Sequence, residues 1–198
     1  GVSSAASDVY KRQPFILSLA LSLFATGSAW AQTLKSPDGN LVLDFHLSGT
    51  ETPVYSLDYK GKPVIKESKM GFVLHPDYQF DQDFEIVDTK FAESDSTWET
   101  VWGQNKEIRD NHKEMFIALR QKKTGWLLNI RFRLFDDGLG FRYEFPVQKE
   151  LRHFIIMQEN TEFSLAGDHK AFWIPADYDS NEYPVTTVSY THLTLPTI

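Results

Sequence analysis

The sequence predicts an all-β protein built as an antiparallel β-sandwich. Apolar and polar residues alternate with a period of two along several short segments, which is typical of half-buried strands. Turn-forming residues separate these segments, and no segment carries the sustained 3.6-residue repeat of an amphipathic helix. Many short strands without helices between them are typical of two packed antiparallel sheets. The chain has no cysteine, so packing alone must hold those sheets together.

The first predicted strand is LVLDFHL, residues 41–47. It follows the sequence Pro-Asp-Gly-Asn at 37–40, a combination that favours a tight turn. Leucine or phenylalanine occupies every second position, whereas Asp44 and His46 fall between them. We therefore expect one buried and one solvated face.

The next predicted element is a hairpin in VYSLDYKGKPVIKE, with its turn at Lys60-Gly61-Lys62. Glycine in a short connection between two alternating segments indicates a hairpin turn. Further extended segments are predicted in MGFVLH, FEIVDTKF, EMFIALRQ and FIIMQENTEFSL.

The segment WLLNIRFRLFDDGLGFRYEFP predicts a second hairpin, with a loop around Asp136-Asp137-Gly138. If Phe135 faces Gly140, the cross-strand partners are Leu134 with Phe141, Phe132 with Tyr143, Ile130 with Phe145, Arg131 with Glu144, and Arg133 with Arg142. The arginine pair leaves two interpretations open. It is either an anion site or, as we favour, two side chains extended into water.

The two ends differ from the rest of the chain. SSAASDVYKRQ, near the start, back-translates to a DNA string whose reverse complement encodes VSYTHLTLPT, near the end. A DNA adapter joined to both ends of a fragment produces this relation, whereas a folded protein has no reason to contain it. We therefore predict that residues 1–13 and 188–198 are adapter-derived, and that neither end is a natural terminus.

Residues 14–31 are predicted to be a secretory signal peptide. An apolar run at 15–25 precedes the small-x-small sequence Ala29-Trp30-Ala31, the form that signal peptidase cleaves. The run is shorter than the roughly 20 residues that span a bilayer, so no membrane span is expected after cleavage. This predicts a periplasmic or secreted protein whose mature segment, residues 32–187, forms one domain.

The formal net charge of −7 makes nucleic acid an unfavourable partner, because its phosphates would be repelled. Neutral ligands and metal ions remain compatible with an acidic surface.

Four motifs resemble the amino-terminal domain of glycoside hydrolase family 97, the secreted Bacteroidetes α-glucosidases and α-galactosidases. They are TLKSPDGNLVLDF, VWGQNKEIRDNHKEM, IRFRLFDDGLGFRYEFP and DHKAFWIPADYDSNEY, in this order. The resemblance implies a galactose-mutarotase-like β-super-sandwich that precedes a catalytic (β/α)8 barrel. The parent would then be a calcium-dependent, exo-acting α-glycosidase that acts on α-linked oligosaccharides or other α-glycosides. In such a protein the domain packs on its own C-terminal barrel.

The acidic stretch at 176–183 is the candidate metal site. Oxygen ligands at this density suit Ca²⁺, although from the residues alone a solvated turn is the better interpretation. The family resemblance implies that Glu182 reaches into the barrel's active site as a calcium ligand. Asp177 and Asp179 match the motif but are predicted to shape the loop instead.

No catalytic residue is predicted in this chain. The pairs Glu107 with Glu114 and Asp136 with Asp137 are expected to be solvated charges in turns and exposed positions, and the two carboxylates of such a hydrolase would belong to the barrel. The fragment alone is therefore expected to be inactive.

Two histidines and three tryptophans are candidate binding groups. His112 and His169 are expected to be structural or surface residues, since neither has a second ligand at metal spacing. Trp98, Trp102 and Trp126 raise the question of sugar stacking, but packing in the core or between domains is the default.

Two hypotheses remain at the sequence level. The first is the amino-terminal domain of the α-glycosidase, which lends Glu182 to a calcium site shared with the barrel. The second is a stand-alone carbohydrate-binding β-sandwich without catalysis. The residues do not distinguish an α-glucoside from an α-galactoside substrate, or an inverting from a retaining reaction.

Overall fold

The computed structural model describes residues 31–174 and 186–189, and within these residues every regular element is a β-strand. The strands are β1 (Gln32–Lys35), β2 (Leu41–Leu47), β3 (Pro53–Tyr59), β4 (Lys62–Lys69), β5 (Phe72–Leu74), β6 (Tyr78–Phe80), β7 (Phe84–Glu99), β8 (Glu107–Gln121), β9 (Leu127–Leu134), β10 (Leu139–Glu144), β11 (Ile156–Glu159), β12 (Lys170–Trp173) and β13 (Thr186–Ser189).

The strands form four antiparallel sheets. Their orders are β1-β2-β3-β4, β10-β9-β8-β7, β11-β5-β6 and β12-β13. The first two sheets pack face to face, and the prediction of an all-β sandwich is confirmed. In the part of the chain that the structure describes, no helix is long and apolar enough to cross a membrane.

The predicted turn at 37–40 leads into β2 as expected. The Ser36 hydroxyl donates a hydrogen bond to the Asp38 carboxylate at 2.5 Å, and the Asn40 backbone N–H donates to the same oxygen at 2.9 Å. These donors, the Ser36 hydroxyl first, lower the pKa of Asp38 to about 2. In β2 itself, Leu41, Leu43 and Phe45 are buried.

The hairpin predicted at Lys60-Gly61-Lys62 is formed by β3 and β4. Tyr59 pairs with Lys62, so the connection contains only two residues. Both have positive φ, 50° at Lys60 and 72° at Gly61, which matches the right-handed twist of the flanking strands.

The register predicted for the β9–β10 hairpin is wrong by two residues. Leu134 pairs with Leu139, Phe132 with Phe141 and Arg131 with Arg142. Phe135 belongs to the loop, where its N–H donates to the Gly138 carbonyl at 2.8 Å. Because the shift is two residues, every side chain keeps its predicted face although its partner changes.

Aromatic rings join the two large sheets. The Phe132 ring of β9 lies 5.9 Å from the Phe45 ring of β2 and 6.2 Å from the Tyr55 ring of β3, centroid to centroid. All three side chains are fully buried. On the third sheet, the Phe72 ring packs edge-on against Tyr143 of β10 at 4.6 Å. Large rings bury the most area per residue, so this cluster is the centre of the core.

The hairpin of β7 and β8 is longer than the sheet that contains it. The two strands pair without interruption from Asp88 with Ala118 to Glu99 with Glu107, whereas β9 pairs with β8 only from Lys113 to Arg120. The part beyond this, residues 95–111, forms a two-stranded projection in which every residue is described and none is buried. We call this projection the β-arm.

The predicted segment FIIMQENTEFSL contains only the short strand β11. All four of its residues are exposed, and it pairs with β5 at the border of the third sheet. The predicted adapter and signal segments lie almost entirely outside the described residues. β13 includes Val188 and Ser189, and the origin of that end stays a prediction.

Candidate functional site

The densest group of charged side chains in the described residues lies on the outer face of the β10-β9-β8-β7 sheet. It consists of Glu114 on β8, Arg131 and Arg133 on β9, and Arg142 and Glu144 on β10. We call this group the arginine ladder. Neighbouring strands place these residues side by side because alternate positions share a face.

Two glutamates connect the three arginines. Glu114 accepts hydrogen bonds from Arg131 and from Arg133, the latter from Nε at 2.9 Å. Glu144 accepts from the Nε atoms of Arg131 at 2.7 Å and Arg142 at 2.8 Å. Each carboxylate therefore bridges two guanidinium groups.

The ladder holds both carboxylates in the ionised state. Burial raises the pKa of Glu114, but the hydrogen bonds from Arg133 and Arg131 outweigh it and the net pKa is lowered. The hydrogen bond from Arg131 lowers the pKa of Glu144. The Arg131 guanidinium also lies 4.8 Å from the centre of the Phe116 ring, a favourable cation–π distance.

A shallow groove of about 190 Å³ adjoins the ladder, lined by Arg131, Arg133, Phe135, Gly140, Phe141 and Arg142. A carboxylate with a lowered pKa and two guanidinium partners is a poor proton donor at neutral pH. The ladder can therefore bind and orient, or tie strands together, but its carboxylates are not suited to acid–base catalysis.

The predicted arginine contacts are only partly present. The Arg131–Glu144 ion pair is confirmed, although the two residues are diagonal neighbours and not direct partners. Arg133 faces Gly140, so its predicted pairing with Arg142 is wrong. Sequence reasoning missed Glu114 as the bridge, because its partner on β9 is known only once the register of β8 and β9 is known.

Glu114 also differs from its predicted environment. It lies in the middle of β8 with its side chain 12% exposed, which corrects the expectation of a solvated charge in a turn or exposed position. Glu107 and both Asp136 and Asp137 are exposed as expected. Asp136 accepts a hydrogen bond from the Asp38 backbone N–H at 2.8 Å, so it joins two turns.

The predicted metal ligand Glu182 lies outside the described residues, as do Asp177 and Asp179. Among the residues that the structure does describe, no three His, Asp or Glu side chains form a group that would hold a metal ion. The calcium site stays a prediction.

The structure places His112 in the interior and His169 at the surface. His112 is buried, its Nδ1 contacts the Asp110 carboxylate, and its ring lies 5.2 Å from the Phe135 ring. His169 is exposed.

The three tryptophans differ. Trp126 packs on the core beside Tyr78, with 5.0 Å between ring centroids. Trp98 and Trp102 are 53% and 90% exposed. Trp126 therefore packs in the core of this domain, whereas Trp98 and Trp102 do not, and packing between domains stays a prediction for these two residues.

The sequence matches one protein-family model over residues 34–196, described as Glycosyl-hydrolase 97 N-terminal. A curated relative, the retaining alpha-galactosidase of Bacteroides thetaiotaomicron, is 23% identical over 161 residues, which are 81% of this chain and 23% of that protein.

Solved structures are similar as well. A glycoside hydrolase family 97 enzyme from Pseudoalteromonas sp. strain K8, in complex with panose, is 34% identical with a TM-score of 0.73, covering 79% of this chain and 24% of that chain. A beta-arabinopyranosidase has 22% sequence identity and a TM-score of 0.65, and the match covers 71% of this chain and 22% of that chain. At this identity the likeness supports the fold alone. The chain thus spans about a quarter of the length of the relatives it matches.

Proposed function

The chain belongs to the glycoside hydrolase family 97 N-terminal domain family, and from this premise we propose that it is the first domain of a secreted, calcium-dependent, exo-acting α-glycosidase. The proposed substrate of the parent is an α-linked oligosaccharide or another α-glycoside. The observation that carries the proposal is the family match, which extends over most of the chain.

The proposed role of the domain is to support a catalytic domain. Three quarters of each enzyme to which the chain is similar lie outside the match. Glu114 and Glu144 on the outer sheet face are both bound to arginines, so the arginine ladder does not supply the two free carboxylates that a glycosidase needs. In the proposal those carboxylates belong to the barrel, and the described sandwich is inactive by itself.

Calcium is part of the same proposal. Glu182 would supply one carboxylate ligand and barrel residues would supply the others, since Ca²⁺ takes six to eight oxygen ligands. When bound, the ion would provide charge stabilisation at the reacting centre. The resemblance of the 176–183 stretch to the family motif supports the assignment of Glu182.

Expression of the full-length parent and assay of its activity test the proposal. The parent protein is expected to release the terminal sugar from α-glucosides or α-galactosides, to lose that activity with a chelator, and to regain it with Ca²⁺. An isolated sandwich that binds oligosaccharides, encoded without any barrel segment, would instead support the stand-alone binding module. If a chelator does not reduce hydrolysis, the proposed calcium dependence is wrong and the proposed glycosidase activity stands.

A further inference from the structure

The β-arm carries features that the proposed function does not use. Six residue pairs, from Ser94 with His112 to Glu99 with Glu107, extend beyond the last pair that β8 makes with β9. At about 3.4 Å per residue, the paired part projects roughly 17 Å from the sheet. The connection at 100–106 follows at its end.

The base of the arm is fixed. His112 is 4% exposed, and its ring lies 5.2 Å from the Phe135 ring of the β9–β10 loop. A ring buried at the point where the arm leaves the sheet gives the arm a defined direction.

The shaft of the arm is polar and carries ion pairs of its own. Arg109 donates two hydrogen bonds to the Asp95 carboxylate, at 2.8 and 2.7 Å, and Lys106 lies 3.7 Å from the Glu99 carboxylate. Exposed ion pairs of this kind contribute little stability, and a two-stranded hairpin without a third strand is marginal in water. The shaft alone therefore gives the arm little stability of its own.

The tip, in contrast, carries three large apolar side chains. Trp98, Val101 and Trp102 are 53%, 99% and 90% exposed, and they lie at the end of β7 and in the connection that follows. Apolar side chains concentrated at one exposed place mark an interaction surface, and tryptophan is among the residues that most often anchor such contacts.

We propose that the tip of the β-arm, formed by Trp98, Val101 and Trp102, docks into an apolar recess on the part of the parent polypeptide that lies outside this chain. This rests on the proposed function, because it takes the chain to be the first domain of a longer enzyme. About three quarters of each similar enzyme lie outside the match, so a large surface of the same molecule is available. Because the shaft is polar and the large apolar side chains are at the tip, we expect the β-arm to contact the rest of the parent through its tip and not along its length.

Photo-crosslinking in the full-length parent tests the docking. A benzophenone amino acid in place of Val101 is expected to cross-link within one molecule, to a segment of the parent outside the part shared with this chain. Val147 is the matched control, since it is 100% exposed but lies outside the arm. The yield at Val147 should be lower by about fivefold, because a fully exposed site outside the docking surface has no fixed neighbour.

A second variant tests the anchoring tryptophans. The double substitution Trp98→Ala and Trp102→Ala is expected to reduce the cross-link at Val101 about tenfold, as for the loss of hot-spot anchors. Thermal unfolding of the sandwich should be unchanged, since neither ring is in the core. Phe91→Ala is the control and should not reduce the cross-link. The Phe91 ring is 56% exposed, but it lies outside the β-arm, where β8 also pairs with β9.

Three results would overturn the docking. The first two are cross-links that form only between two copies, and equal cross-link yields at Val101 and Val147. The third is the absence of any cross-link together with tip tryptophans that maltotriose protects from an added oxidant. Hydrolysis of α-glycosides is measured on the same preparation. Activity without the cross-link disproves the docking and leaves the proposed function standing. A cross-link without hydrolysis would support the docking and disprove the proposed function.

Discussion

At the scale of single residues, Glu114 shows how a charged side chain becomes structural. Its side chain is 12% exposed, and each of its oxygens accepts from a different arginine of β9. A partly buried carboxylate is stable in its charged form only when such donors replace water. The ladder therefore connects β8 to β9 through side chains in addition to the backbone.

We predict that Glu114→Gln lowers the free energy of unfolding by about 1–2 kcal/mol at neutral pH, because two charge-assisted hydrogen bonds are weakened. Denaturant titration measures this. Glu85→Gln is the matched control, since Glu85 and Arg120 form an exposed ion pair at 3.4 Å that should contribute less than about 0.5 kcal/mol. Equal effects of the two substitutions would contradict the structural role of Glu114.

The ladder also predicts how stability depends on pH. The folded-state pKa of Glu114 lies below the ordinary 4.5, so its contribution is fully present above pH 4.5 and is lost as pH falls through the folded-state pKa. Stability should therefore decrease with acidification below about pH 4.5, and the Glu114→Gln variant should show a shallower decrease. If the stability of the unsubstituted protein and that of the Glu114→Gln variant decrease in parallel as pH falls, the pKa shift of Glu114 does not contribute to the pH dependence of stability.

The face of each residue was predictable, whereas its partner was not. Arg131 and Glu144 were assigned correctly to one face of one hairpin, and they do form an ion pair. The register was wrong because Phe135 enters the loop and the turn closes one residue earlier on each side. The alternation of apolar and polar residues predicts only which face of the sheet a side chain lies on. The register between the strands depends on the turn geometry, which the residue pattern does not specify.

At the scale of the elements, strand length was the least predictable property. β2 and the β3–β4 turn follow directly from alternation and from Lys60-Gly61. The β-arm does not, because its polar strands have no buried face to produce an apolar repeat. Such a projection becomes visible only when the pairing with β8 is seen.

The connection between β4 and β5 depends on a glycine. Gly71 has φ of +147°, and an added Cβ would lie 2.4 Å from the Asp81 Cβ. We expect Gly71→Ala to destabilise the protein by about 2–4 kcal/mol, through both backbone strain and the clash. Gly138→Ala is the control, since no atom lies within 4 Å of its added Cβ and its effect should be within about 1 kcal/mol. The comparison requires only the unfolding midpoints of the two variants.

At the scale of the whole molecule, Phe132 is a central contact between the two large sheets. Phe132 is fully buried and contacts Phe45 and Tyr55 of the opposite sheet. Phe132→Ala is expected to lower the free energy of unfolding by about 3–5 kcal/mol, which is usual for a core phenylalanine. Phe91→Ala removes a ring that is 56% exposed and should cost about 1 kcal/mol or less. A small effect at Phe132 would mean that the two sheets do not share the core described above.

The last prediction concerns the parent enzyme and the one residue proposed to act outside the sandwich. Glu182→Gln in the full-length protein is expected to weaken calcium binding by about tenfold or more and to reduce hydrolysis in parallel, because an amide oxygen lacks the charge that Ca²⁺ prefers. The circular dichroism and unfolding midpoint of the sandwich should not change. Asp179→Asn is the matched control from the same acidic stretch, and its calcium titration should resemble that of the parent. If Glu182→Gln leaves the calcium titration unaltered, Glu182 is not a ligand, and the proposal that this residue completes the calcium site is wrong.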